Sequence, residues 1–211
     1  MLAKLSPQEV QAALQEGAVL VDFRLPGDFT DAHIPGAVNV QFTRAAPAQA
    51  VAIAVPPGSR VIITSDQDML TEIAGTMLAQ SGLFQVLGSL ASGLGAWQAA
   101  GLPLEQTVCL SAVELHEQLS AGLLEDMRVV DVREPHEWRM GIIPGAQLLP
   151  ISQLLQRLDE LDRNKQNCFI CASGVRSATA ASIASQHDIP AVNITGGMNQ
   201  WMGMRYPMGR P

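Results

Sequence analysis

The stretch LVDFRLPGDFTDAHIPGAVNV, residues 20–40, returns as VVDVREPHEWRMGIIPGAQLL, residues 129–149. Asp22 falls on Asp131, Arg24 on Arg133, Phe29 on Trp138, and IPGA at 34–37 on IPGA at 143–146. A repeat of this kind means that one structural unit is made twice. In each copy an apolar run closes on Asp-x-Arg and gives way to a loop punctuated by proline and glycine, which reads as a strand followed by a turn.

The likeness continues outward. SPQE at 6–9 and SAVE at 111–114 each place a serine three residues before a glutamate at the head of an apolar-periodic run. Both are capping boxes that open a helix. Downstream, GLGAWQAAGLPL at 93–104 matches GMNQWMGMRYPM at 197–208, with Trp97 over Trp201 and Pro103 over Pro207. Each half therefore runs capped helix, strand ending in Asp-x-Arg, Ile-Pro-Gly-Ala loop, second strand, helix, third strand, Gly-rich turn and tryptophan. That alternation predicts an α/β fold of two tandem domains, each a mainly parallel sheet flanked by helices. The boundary is placed in GLPLEQTV at 101–108, giving domains 1–104 and 105–211. With 211 residues, 47% hydrophobic and 16% charged, the chain has enough apolar material for two packed cores.

A formal net charge of −7 leaves no electrostatic footprint for nucleic acid or for an anionic membrane surface. The opening MLAKLSPQEV lacks a basic region followed by a long apolar core, and AVAIAV at 50–55 is far too short to span a bilayer, so a cytoplasmic protein is expected. Three cysteines, an odd and sparse number, argue against a disulfide framework. His33, His116, His136 and His187 are scattered without zinc-like spacing, and neither a metal nor a cofactor is expected.

The chemistry is expected in the second half, where the strand NCFI at 167–170 runs directly into CASGVRSATAASIA. Small residues and an Arg-Ser pair between a strand and an alanine-rich helical pattern describe a strand–loop–helix turn with Cys171 at its mouth. Backbone N–H groups from Ala172, Ser173, Gly174, Val175, Arg176 and Ser177 can curl around the sulfur. The N-terminus of the following helix adds partial positive charge, and Arg176 adds a full one. All three favour thiolate over thiol.

VVDVREPHEW, IIPGA, the loop CASGVRS and the terminal GGMNQW together resemble the rhodanese family, and in degraded form the same motifs cross the first half. The resemblance implies a sulfurtransferase that carries sulfane sulfur as a Cys171 persulfide. Its donor would be thiosulfate or a persulfide, its acceptor a thiol, cyanide or a protein. Arg176 would bind the donor's negative end, and the loop N–H groups would stabilise the persulfide anion. The neutral Ala172 and Ser173 tilt the expectation toward a persulfide donor. A second reading is a binding module that relays sulfur or senses redox state without turnover. A third is a cysteine-dependent phosphatase or arsenate reductase, disfavoured because those enzymes place five residues between cysteine and arginine, whereas Ala172 to Val175 are four.

In the first half the cysteine position falls on Ser65, the loop reads SDQDMLT, Asp66 and Asp68 bring negative charge, and Leu70 replaces the arginine. That half is expected to be catalytically silent. Asp131, Arg133 and Glu137 have counterparts in Asp22, Arg24 and Asp28 and are therefore read as scaffolding rather than acid–base machinery. Cys168 lies on a strand and is read as packing, and Cys109 as structural or idle. The rhodanese resemblance places a histidine before IPGA. His33 supplies it in the first half, Ile142 stands there in the second, and a structural role follows for His33. Met198, Met202, Met204 and Met208, near Trp201 and Tyr206, are read as covering the core or the domain interface.

Overall fold

The computed structural model describes residues 2–122 and 126–211. The chain forms two compact units, Met1–Gln106 and Thr107–Pro211. Glu105 belongs to the first because its backbone exchanges hydrogen bonds with that of His33, at 2.9 and 2.8 Å.

The first unit runs β1 (Lys4–Leu5), α1 (Pro7–Gln15), β2 (Val19–Asp22), α2 (Pro26–Asp31), β3 (Val38–Asn39), α3 (Pro47–Ala54), β4 (Arg60–Thr64), α4 (Asp68–Ser81), β5 (Gln85–Leu90), α5 (Gly93–Ala99). The second runs β6 (Val108–Ser111), α6 (Ala112–Ser120), β7 (Met127–Asp131), α7 (Pro135–Trp138), β8 (Gln147–Leu148), α8 (Ile151–Leu154), a 3-10 turn (Leu158–Glu160), β9 (Gln166–Ile170), α9 (Val175–Gln186), β10 (Ala191–Thr195), α10 (Gly197–Gly203). The sheet orders are β1-β5-β4-β2-β3 and β6-β10-β9-β7-β8. Every ladder within them is parallel.

The sequence reading supplies three strands per half and the structure has five. The additions are short edge strands. β1, β3 and β8 have two residues each, too few to show a period of two, and β6 lies in a segment rich in linker-like residues. Both capping boxes form as read: the Ser6 hydroxyl accepts the Glu9 N–H while the Glu9 carboxylate accepts the Ser6 N–H, and Ser111 and Glu114 repeat the exchange. These caps satisfy N–H groups that the first helical turn leaves without partners.

Each unit has its own core. Val10, Leu20, Phe29, Ile62, Leu90 and Trp97 pack together in the first, and Leu115, Val129, Ile143, Cys168, Ile170 and Trp201 in the second. The two tryptophans close their units in the same way, with indole N–H groups donating to the Pro103 and Pro207 carbonyls at 2.8 and 2.9 Å. Of the C-terminal methionines, Met198 is buried in the core and Met202 packs against it, whereas Met204 and Met208 are exposed.

Candidate functional site

In the second unit the chain leaves β7 toward β8 on one side of the sheet and leaves β9 toward β10 on the other. The carboxyl ends of β7 and β9 therefore flank a topological switch point, the place where parallel α/β sheets open a crevice. Register sets what meets there. Asp131 pairs with Ile170, so the turn after Asp131 and the turn beginning at Cys171 lie side by side.

Cys171 is 1% exposed. Its sulfur accepts the Gly174 N–H at 3.1 Å and stands 3.4 Å from the Ser177 hydroxyl. Gly174, at φ 102°, is the N-cap of α9, a backbone conformation that side chains rarely adopt. A Cβ there would also press on the Thr195 Cα at 3.3 Å. The 12-residue α9 points its N-terminus at the sulfur's turn, adding the partial positive charge of its free N–H groups. From behind, α10 clamps the loop: Met198 N–H donates to the Cys171 carbonyl at 2.8 Å and Asn199 N–H to the Ala172 carbonyl at 2.9 Å. Gly197 permits that approach, because a Cβ on it would run into the Cys171 carbonyl oxygen.

Of the six loop residues expected around the sulfur, Gly174 and Ser177 reach it directly. Arg176, one-third exposed, is held by an acidic partner. Its two terminal nitrogens bind the Glu137 carboxylate at 2.5 and 2.7 Å, a fork-on-fork ion pair. That hydrogen bonding holds the Glu137 carboxyl down at about 2, against an ordinary 4.5. It also raises the affinity of Arg176 for its proton, with the charges of Cys171 and Glu134 adding to the same effect.

Glu137 rides on α7, and the Asp-x-Arg frame sets α7. Arg133 gives Nε and Nη2 to the buried Asp131 carboxylate, and Nη2 also reaches the Gly141 carbonyl at 2.8 Å, beyond the helix. The first unit repeats this: Arg24 binds Asp22 and donates to the Asp28 and Ala32 carbonyls at 3.2 and 2.8 Å. The frame is the same whether or not a cysteine follows. Sequence reasoning made Glu137 an ion-pair element of the loop after the strand and missed that its partner is Arg176. The two are 39 residues apart, and only the β7–β9 register brings their helices together.

In the first unit Thr64 pairs with Asp22, so Ser65 occupies the place of Cys171. Its hydroxyl is tied locally, bonded to Thr71 Oγ1 at 2.8 Å and to the Gln67 carbonyl at 2.9 Å. The cleft above it, about 150 Å³, is lined by Leu25, Asp28, Asp66 and Leu70 among others.

The remaining residues stand apart from this chemistry. No disulfide forms. Cys168 is buried on β9, and burial pushes its thiol up to about 12. Cys109 lies on β6. His33 stacks on Phe29 and bonds its carbonyl at 2.9 Å, with burial lowering its pKa. Ile142 replaces it without loss of the turn, because the turn is held by backbone: Ile142 exchanges hydrogen bonds with Gly209 as His33 does with Glu105. Among the described residues, no cluster of His, Cys, Asp and Glu could hold a metal, and no helix is long and apolar enough to cross a membrane.

Comparison with known proteins gives a consistent family. The rhodanese-like domain model matches residues 6–100 and again 111–204. A protein named sulfurtransferase from Allochromatium vinosum is 34% identical over 98 residues, which is 45% of this chain and 92% of that one. A rhodanese-related protein of known structure from Thermoplasma volcanium is 34% identical over 49% of this chain and 99% of its own, with a TM-score of 0.45. A thiosulfate sulfurtransferase from Pseudomonas aeruginosa is 22% identical over 99% of this chain and 44% of its own, with a TM-score of 0.43.

Proposed function

Since the chain belongs to the rhodanese-like domain family in both of its halves, we propose that it is a sulfurtransferase whose second unit carries sulfane sulfur on Cys171 while the first is catalytically silent. The observation that carries the reading is the cysteine sulfur at the carboxyl end of a central parallel strand, with the Gly174 N–H aimed at it and a long helix beginning beside it. Such a setting stabilises negative charge on sulfur without bulky side chains in the way.

In the proposed cycle the Cys171 thiolate attacks the outer sulfur of the donor. The donor's S–S bond breaks, its electron pair leaves on sulfite or on a thiolate, and the new S–S bond leaves Cys171–S–S⁻. The Gly174 N–H and the Ser177 hydroxyl then have a terminal anion to hold. A thiophilic acceptor, whether a thiol, cyanide or a protein, attacks the outer sulfur and restores the thiolate. The four-residue spacing and the capture of Arg176 by Glu137 both speak against a cradle for a tetrahedral oxyanion.

Turnover separates an enzyme from a relay. With thiosulfate and cyanide the protein is expected to release thiocyanate continuously at a low rate, and Cys171→Ser to release none. A single stoichiometric loading with no discharge to small acceptors would instead make it a relay for a protein partner.

A further inference from the structure

Arg176 is the cation in the proposed nucleophile's own loop, and its side chain is one-third exposed. Glu137 holds it through two short bonds, while Glu134 stands one turn earlier with its carboxylate bonded by the Ser152 hydroxyl at 3.1 Å. The neighbouring guanidinium, Arg133, is spent on Asp131. Two carboxylates, Glu134 and Glu137, thus stand close enough to Arg176 to strengthen its hold on its proton.

The Glu137–Arg176 pair is not needed to build the helix that carries it. In the first unit α2 is set by the same Asp-x-Arg frame with Leu70 in the arginine's place. The role of the pair therefore lies at the sulfur site. Resting on the Cys171 persulfide reading, we propose that Glu137 is a positioning residue that sets donor choice: by holding Arg176 it denies thiosulfate a cation and leaves the site suited to organic persulfides, R–S–SH.

The two donors differ in the group that leaves. From thiosulfate, S–SO₃²⁻, attack by the Cys171 thiolate breaks the S–S bond and expels sulfite, so two negative charges sit beside the loop in the transition state. From R–S–SH the thiolate attacks the terminal sulfur, a Cys171–S–S bond forms, the donor S–S bond breaks, and the electron pair goes to the departing sulfur. The proton of the donor's terminal sulfur passes to the departing sulfur, which leaves as R–SH, so Cys171–S–S⁻ remains and no external oxidant or reductant enters. Only the first route needs a free guanidinium for the leaving group.

The test uses the full chain and its Glu137→Gln and Glu137→Asp variants. Single-turnover loading of Cys171 is followed with thiosulfate and separately with glutathione persulfide. With Glu137→Gln, loading by thiosulfate should rise about tenfold, chiefly through a lower half-saturating concentration, and loading by the persulfide should change by less than about twofold. Glu137→Asp, which keeps the charge, should stay near the parent ratio. An equal change for both donors, or a fall with thiosulfate, would overturn the proposal. Salt gives a readout free of any variant: thiosulfate loading of the parent protein should barely respond to ionic strength, and a steep fall would show Arg176 already engaging the dianion and contradict the proposal. Failure of the parent protein to load with either donor would sink the persulfide reading itself, a result distinct from an unchanged donor ratio.

Discussion

Cys171 is shaped as much by two glycines as by its own sulfur. Gly174 turns the chain at φ 102° so that its N–H meets the sulfur, and Gly197 lets α10 hydrogen-bond the loop from behind. Gly174→Ala should lower stability by about 1–3 kcal/mol, the usual cost of forcing a side chain into a sparsely populated backbone region. Gly197→Ala should disturb the loop more, since its Cβ collides with backbone rather than with a flexible side chain. Urea unfolding read beside the rate of Cys171 alkylation checks both: each variant should lose stability, and Gly197→Ala should change the alkylation rate even where it remains folded. At this scale the sequence was legible for Cys171 and its small neighbours. The state of Arg176 was not, because a side chain's partner depends on which helices the sheet brings together.

Helix α7 is four residues long and cannot stand by itself. Its position comes from Asp131 and Arg133, whose side chains are buried and bonded at 2.6 Å. Removing one member of such a pair strands the other charge, and Arg133→Met should cost about 3–5 kcal/mol, with Arg24→Met costing a similar amount in the first unit. Two-step unfolding that loses a different half in each variant would bear this out; a shift below about 1 kcal/mol would contradict it. The ion pair that α7 carries has a pH signature. Glu137 titrates at about 2 in the folded chain against an ordinary 4.5, so its pairing stabilises fully above the higher value and is lost as pH falls toward the lower one. The stability difference between the parent and Glu137→Gln should be flat through neutral pH and shrink as acid approaches pH 2. The capped helices and the three longer strands of each half were legible in the sequence, since serine–glutamate spacing and apolar runs are local signals. The edge strands β1, β3 and β8 were not, because a two-residue strand exists only through the neighbour it pairs with.

At the scale of the whole chain, one fold has been used twice, and the proposal places the sulfur chemistry in one copy. The Asp-x-Arg frame, the capping box and the indole-to-carbonyl bond recur in both units. The first unit puts Ser65 where the second has Cys171, and Leu70 where it has Arg176. The repeat was the most legible feature of all, because a duplicated pattern is evidence that needs no propensity scale. If the surroundings as well as the nucleophile have been lost, then Ser65→Cys on a Cys171→Ser background should take up no sulfur from thiosulfate or glutathione persulfide. Uptake would mean that the first unit lacks only its thiol.

The central claim, that sulfur rides on Cys171, is tested most directly by intact mass. Reduced protein is incubated with thiosulfate and, separately, with glutathione persulfide, alongside Cys171→Ser. The account predicts a gain of one sulfur atom in the parent, its removal by cyanide, and no gain in the variant. A parent protein that stays unmodified with both donors, or a variant that gains the sulfur equally, would contradict it.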